Sequence, residues 1–208
     1  MADRTIKILT PATNFALLTL EELKTLLGMN PADTSNDAQL QQMIDWYSAT
    51  VSQIANRVFA KEKVRETWRD INDRRLFLSH WPVKEADIES VETPAGTENV
   101  AYELEEASGK VSLFGGRAEP IVVTYTGGFN LPDEAPDDLK AAASVLVRAG
   151  RTAAQRDAIS GIRSISHKGS RVMFFDPNAQ GGGSAGGTTE GAIKAVHALL
   201  YHYSRLEV

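Results

Sequence analysis

Two rhythms of apolar residues divide the chain. A three-to-four-residue rhythm marks helices toward both ends, and a two-residue rhythm marks strands in the middle. Ile6-Lys7-Ile8-Leu9 is a short extended segment closed by Pro11. Thr19 and Glu22 then form a capping box, each satisfying a backbone N–H that the first helical turn leaves unpaired. The helix they open carries Leu20, Leu23, Leu26 and Leu27 on one side and stops at Gly28. The next helix runs from about Asn36 to Ala60, with Leu40, Met43, Ile44, Tyr47, Val51, Ile54, Ala55 and Val58 on a single face.

Between Val64 and Phe114 the rhythm shortens. Runs at 64–71, 74–79, 88–92, 100–104 and 110–114 are separated by Asn72-Asp73, Trp81-Pro82, Pro94-Ala95-Gly96 and Ser108-Gly109, residue types that reverse a chain. Ile121 to Thr126 alternates in the same way, so one small antiparallel sheet is expected at 63–126, inserted between helices. Gly127 and Gly128 end this last strand in a turn that side chains would obstruct, and Phe129 and Leu131 serve as apolar pegs for the link that follows. Pro136 opens a helix where its missing N–H is harmless, with Asp137 and Asp138 at the positive end of the dipole. Leu139, Ala143, Leu146, Gly150 and Ala153 make a stripe whose later half is small enough for another backbone to approach closely.

Beyond Asp157 the pattern thins. Residues 158–187 read as an extended arm whose last part, Gln180 to Gly187, has the composition of a glycine-rich tether. A final helix opens at Thr188 or Thr189. Its stripe of Ile193, Val196, Leu200 and Tyr203 lies on a segment too short to be stable alone, so it is expected to lie in a groove that something else supplies. The fold class that results is α+β. It has an antiparallel helical core of two long helices plus shorter ones, an inserted small antiparallel β-sheet, and an extended C-terminal arm ending in a helix. Residues 1–157 form the body, 158–187 the arm and tether, and 188–208 a docking helix.

With 208 residues, 42% of them hydrophobic, the chain can bury a core without a disulfide or a structural metal. It has no cysteine, which excludes thiol catalysis and thiolate metal sites. No apolar run reaches the length of about 18 residues that a membrane span needs. A net charge of -5 argues against an extended nucleic-acid coat.

Motifs for chemistry fail one by one. Gly182 to Gly187 precedes a helix as a phosphate loop does, but Thr188 stands where the lysine belongs. His197 and His202 are five apart, so they point away from each other on a helix, and neither His80 nor His167 has an acidic neighbour in sequence. The stretch Gly161 to Ser164 lacks the second glycine of a nucleophile elbow. No catalytic residue, metal ligand or cofactor is therefore assigned.

Charge is more informative. Glu85, Asp87, Glu89, Glu92, Glu98, Glu103, Glu105 and Glu106 follow one another with no basic residue between, whereas Arg148, Arg151, Arg156, Arg163, Lys168 and Arg171 dominate the later segment. Arginines complement a helix C-terminus and acids discourage edge-to-edge aggregation, which would explain both blocks. Equally, unlike faces of identical subunits could meet head to tail and close into a ring, with Arg148, Arg151 and Arg156 opposite Glu103, Glu105 and Glu106.

The run Val123-Thr124-Tyr125-Thr126-Gly127-Gly128-Phe129, the acidic turn after it and Asp138-Leu139-Lys140 resemble the head-tail connector (adaptor) proteins of tailed phages. Leu18 to Leu27, the Asn56-Arg57-Val58-Phe59 that ends the long helix and Trp81-Pro82-Val83 extend the resemblance over roughly Leu18 to Arg156. It implies a virion structural protein of a siphophage-like particle or gene transfer agent, made in the host cytoplasm and located at the head-tail junction. It further implies a dodecameric ring docked on the portal protein, with a head-completion (stopper) or tail-terminator protein on its other side. DNA would pass through the channel without specific binding, and no membrane would be involved. On this view Ile193, Val196, Leu200 and Tyr203 dock on the portal. The rival reading is a DNA-packaging accessory that binds nucleic acid through the basic 148–171 segment.

Overall fold

The computed structural model describes residues 3–69, 71, 74–93, 100–114, 119–159, 164–167, 170–173 and 189–203, of which 154–173 and 189–190 are described as backbone only. In chain order the elements are β1 (Asp3–Thr10), α1 (Leu20–Leu26), α2 (Asp37–Ile54), β2 (Glu62–Arg69), β3 (Arg75–Phe77), β4 (Ile88–Glu92), β5 (Ala101–Glu105), β6 (Lys110–Phe114), β7 (Ile121–Gly127), α3 (Asp137–Ile159), β8 (Ser164–His167), β9 (Ser170–Met173) and α4 (Thr189–Leu200). The fold is α+β, as the two rhythms imply. The tether at 180–187 lies outside the described residues, and part of the expected arm is the antiparallel β8–β9 hairpin.

Local chemistry sets the helix ends. Thr19 and Glu22 form both bonds of the capping box on α1, and Met29 N–H donates to the Lys24 carbonyl at 2.9 Å just past Gly28. The second helix stops earlier than its apolar face suggests. Arg57 N–H donates to the Ser52 carbonyl and Asn56 N–H to that of Gln53, with Asn56 at φ 51°, a Schellman ending that withdraws Val58 from the helix.

The strands form two stacked sheets rather than one. A four-stranded sheet has the order β1-β2-β7-β4 and a three-stranded sheet the order β3-β6-β5, all antiparallel. Each sheet turns an apolar face inward, and Val64, Trp68, Val91, Val123 and Tyr125 of the first meet Leu76, Val111 and Leu113 of the second. Alternation reports such faces, but it does not say which edges pair. The segment around Ile6 to Leu9 proves to be the first strand of the larger sheet.

Helices α1, α2, α3 and α4 share a second core, separate from the first. Leu23, Ile44, Val51, Leu139, Ala142 and Val147 are fully buried in it. The small stripe on α3 admits a side chain, not a backbone: a Cβ at Gly150 would stand 1.8 Å from the Tyr47 hydroxyl.

The groove expected from a partner is supplied by the chain itself. Ala192, Val196 and Leu200 of α4 are buried at 6%, 0% and 1% exposure in the helical core, and Tyr203 packs against it. Burying a valine or a leucine yields roughly 1.5–3 kcal/mol apiece, enough to hold a short helix that propensity alone would not. Val196→Asp is expected to cost about 3 kcal/mol of stability in urea unfolding, because it places a charge at a site without water. A loss under about 1 kcal/mol would mean that α4 does not contribute to the folded core in solution.

Candidate functional site

The two cores meet at a narrow junction, built on the Gly127-Gly128 turn. A Cβ at Gly127 would lie 2.2 Å from the His80 carbonyl oxygen, and one at Gly128 would lie 2.4 Å from that of Ala60. Gly128 also has φ +106°, which side chains disfavour. Through these approaches Gly128 N–H donates to the Pro82 carbonyl, Phe129 N–H to that of Phe59, and Lys61 N–H to that of Phe129, at 2.8–3.0 Å. Phe129 and Leu131 then pack against the helical core. Pro136 stands one residue before α3, and its carbonyl accepts from Leu139 and Lys140 N–H.

Beside this turn an arginine lies between aromatic rings. The Arg57 guanidinium is 3.5 Å from the Trp81 ring centroid and 4.6 Å from that of Phe59, and it donates to the Trp81 carbonyl. Tyr203, just after α4, stacks on Trp81 at 6.3 Å and meets Phe59 edge-on at 5.8 Å. The residue that follows α4 closely thereby touches both cores at once.

Inside the sandwich lies a polar cluster that sequence reasoning missed. Glu62 and Glu66 sit on β2 in phase with Val64 and Trp68, and all four side chains point inward. Glu66 Oε1 accepts from Ser79 N–H at 2.9 Å and also from the hydroxyls of Ser79 and Tyr125. Ser79 Oγ lies 3.0 Å from His80 Nδ1, and His80 Nε2 lies 3.0 Å from Glu62 Oε2. The other Glu62 oxygen accepts from Ala12 N–H at 3.1 Å, which ties down the exit from β1. A serine, histidine and glutamate in a row invite comparison with a hydrolase. Here Glu66 is 0% exposed, Glu62 2% and His80 5%, and the serine hydroxyl is already held by Glu66. The cluster fixes how the two sheets stack, and His80 finds in space the acidic partner it lacks in sequence. The signal for it was available: two glutamates sharing the phase of a buried strand face.

Near the helical core, Glu22 is drawn in two directions. Partial burial pushes its carboxyl up, but hydrogen bonds from Lys140 and from the backbone and side chain of Thr19 outweigh this and hold it below the usual range. The Lys140 ammonium stands 2.5 Å away.

The residues assigned to a ring interface are not brought together within one subunit. Arg148 donates to the Leu26 carbonyl at the end of α1, and Arg151 Nη1 lies 3.3 Å from Met29 Sδ. Arg148 therefore serves the C-terminal end of a neighbouring helix, close to the dipole role the sequence allowed, while Arg151 meets the loop beyond that helix. The Arg156 side chain lies outside the described residues. On the sandwich, Glu106 accepts from Glu85 N–H, Glu105 stands 3.9 Å from Lys110, and Glu103 is exposed on the outer face of β5. Of the four residues assigned to portal docking, Ile193 alone is exposed, at 39%, while Val196 and Leu200 are internal and Tyr203 lies against Trp81.

No curated protein is significantly similar to this chain. Among solved structures it resembles a chain in the neck of an empty gene transfer agent (GTA) particle computed with C6 symmetry. The TM-score is 0.54 at 17% identity, over 98% of this chain and 97% of that one. Similar values come from a chain in the virion of a native gene transfer agent particle (0.53, 17%, 98% and 96%) and one in a native GTA neck computed with C12 symmetry (0.52, 16%, 98% and 97%). At such identities the likeness concerns the fold, and it extends from one end of the chain to the other. The head completion protein family model matches residues 16–149, which take in α1, α2, both stacked sheets other than β1, the glycine turn and most of α3. The chain belongs to the head completion protein family.

Proposed function

We propose that this protein is a structural subunit of the head-tail junction. Twelve copies form a ring on the portal, with DNA passing through the channel and a stopper or tail-terminator protein binding the far side. The observation that carries this reading is the family match over 16–149, supported by a fold shared along the whole chain with neck proteins whose particles were treated with sixfold and twelvefold symmetry. A negative subunit suits the inner wall of such a channel, since it does not grip a sliding duplex. The portal-facing part of α4 is then Ile193, with Tyr201, 73% exposed, just beyond the helix. Nucleic-acid binding through 148–171 has less support, because Arg148 and Arg151 are engaged with α1 and its loop.

Electron microscopy of the protein mixed with its cognate portal is expected to show a collar of added density on the portal axis. Bare portals at saturating protein, together with duplex binding that weakens steeply with salt, would replace this reading with the packaging accessory.

A further inference from the structure

The sandwich has two unlike flanks. On one, the bond from Val100 N–H to the Val91 carbonyl at 3.3 Å draws β4 and β5 together, and the larger sheet ends level with the smaller. On the other, Ser79, just after β3, is bonded to Glu66 on β2, so β3 lies beneath β2 and β1 extends past it. All eight residues of β1 are exposed. Its register places Arg4, Ile6 and Ile8 opposite Trp68, Glu66 and Val64, on the face that the smaller sheet covers for β2 and leaves open for β1. Ile6 is 41% exposed and Ile8 51%. The outer edge of β1 has no strand partner among the described residues.

Charge distinguishes the flanks as well. The overhanging side carries Arg4, Lys7, Arg69 and Arg75 against Asp3, and Lys7 has no ion-pair partner among the described residues. The closed side carries Glu85, Asp87, Glu89, Glu92, Glu103, Glu105 and Glu106 against Lys84 and Lys110; Asp87 and Glu89 pair with Lys61 and Lys63, and Glu92, on the same outer sheet face as Lys7, stands 3.9 Å from Arg65. These flanks lie at opposite ends of the same two sheets, which is the arrangement a head-to-tail contact between identical subunits requires.

We propose that the overhanging β1 flank of one subunit receives the acidic β4–β5 flank of the next copy. The contact covers Ile6 and Ile8 and, on the outer face of the larger sheet, sets Lys7 against Glu92 or Glu89 on the neighbour's β4, so the sandwiches form a continuous belt around the ring. The proposal rests on the ring reading and adds which surfaces meet. A lone apolar strand face with a free edge is a hazard in a monomer, and a neighbour in the ring removes it.

The test compares the native chain with Ile6→Asp/Ile8→Asp and with Lys7→Glu by native mass spectrometry, with and without portal, while circular dichroism melting checks the fold. Both variants change exposed positions, so both should melt as the native chain does. The concentration needed for ring formation is expected to rise roughly tenfold or more, and Glu92→Lys should recover part of the loss in Lys7→Glu. Because the chain has no cysteine, Lys7→Cys/Glu92→Cys treated with a short bismaleimide provides a second measurement. It should yield a ladder of linked subunits that neither single variant produces. If the native chain forms rings and the variants assemble equally well without a crosslinked ladder, the flank assignment is wrong and the ring stands. If the native chain forms no ring even on portals, the ring reading fails first.

Discussion

Gly128→Ala is expected to lower the unfolding free energy by roughly 3 kcal/mol or more, a large share of the 5–15 kcal/mol typical of a domain. Two costs combine. The backbone at φ +106° is strained for any residue with a Cβ, at about 1–3 kcal/mol. The new methyl would also stand 2.4 Å from the Ala60 carbonyl oxygen and 2.8 Å from its carbon, and these are backbone atoms that no rotamer change can clear. Forcing them apart costs about another 1–3 kcal/mol and stretches the bonds through which Phe129 and Lys61 join the two cores. Gly28→Ala is the matched control, since Gly28 has φ +68° but nothing within 4 Å of its Cβ position. It should cost only about 1 kcal/mol in the same urea titration. Equal losses at the two sites would mean that the close approach at the junction contributes nothing to stability.

Glu66→Ala is expected to cost about 3–5 kcal/mol, the range for removing one member of a buried charged network. It would leave the partly buried Ser79 N–H and hydroxyl and the fully buried Tyr125 hydroxyl without their shared acceptor. A double-mutant cycle with Tyr125→Phe measures the pair directly, and a coupling of about 0.5–3 kcal/mol is expected. The same contact has an alkaline signature. Burial, the nearby Glu66 charge and its hydrogen bond push the Tyr125 hydroxyl well above the usual tyrosine value of 10.0. A raised folded-state value means that the stability it confers is complete below about pH 10 and is lost as pH rises through the folded value. Stability should therefore fall above pH 10 in the native chain and less steeply in Tyr125→Phe. A Glu66→Ala loss under about 1 kcal/mol would show the cluster to be solvated.

What could be read from the residues was whatever short-range geometry decides. Thr19 with Glu22, Gly28, the alternation of Ile121 to Thr126 and the pair Gly127-Gly128 each act within a few positions, and each does in the structure what its chemistry suggests. Longer-range matters were not legible. Nothing local tells β2 to pair with both β1 and β7 while β3 joins a different sheet, because a period of two describes a face and not a neighbour. The apolar side of α4 was plain from Ile193, Val196 and Leu200, but the groove that receives it is formed by α2 and α3, far away in the sequence. Asn56 ended α2 although Val58 continued its stripe, a case of one residue in a left-handed conformation overriding periodicity. The carbonyl and thioether partners of Arg148 and Arg151, at Leu26 and Met29, were equally out of reach, because they lie more than a hundred positions away.

The position of α4 also bears on biosynthesis. Val196 and Leu200 fill a space between helices made much earlier, so a nascent chain that has released α3 from the ribosome still exposes an apolar cleft. Only when α4 emerges can that cleft close, and a polypeptide cut short before α4 would display a sticky surface to proteases and chaperones.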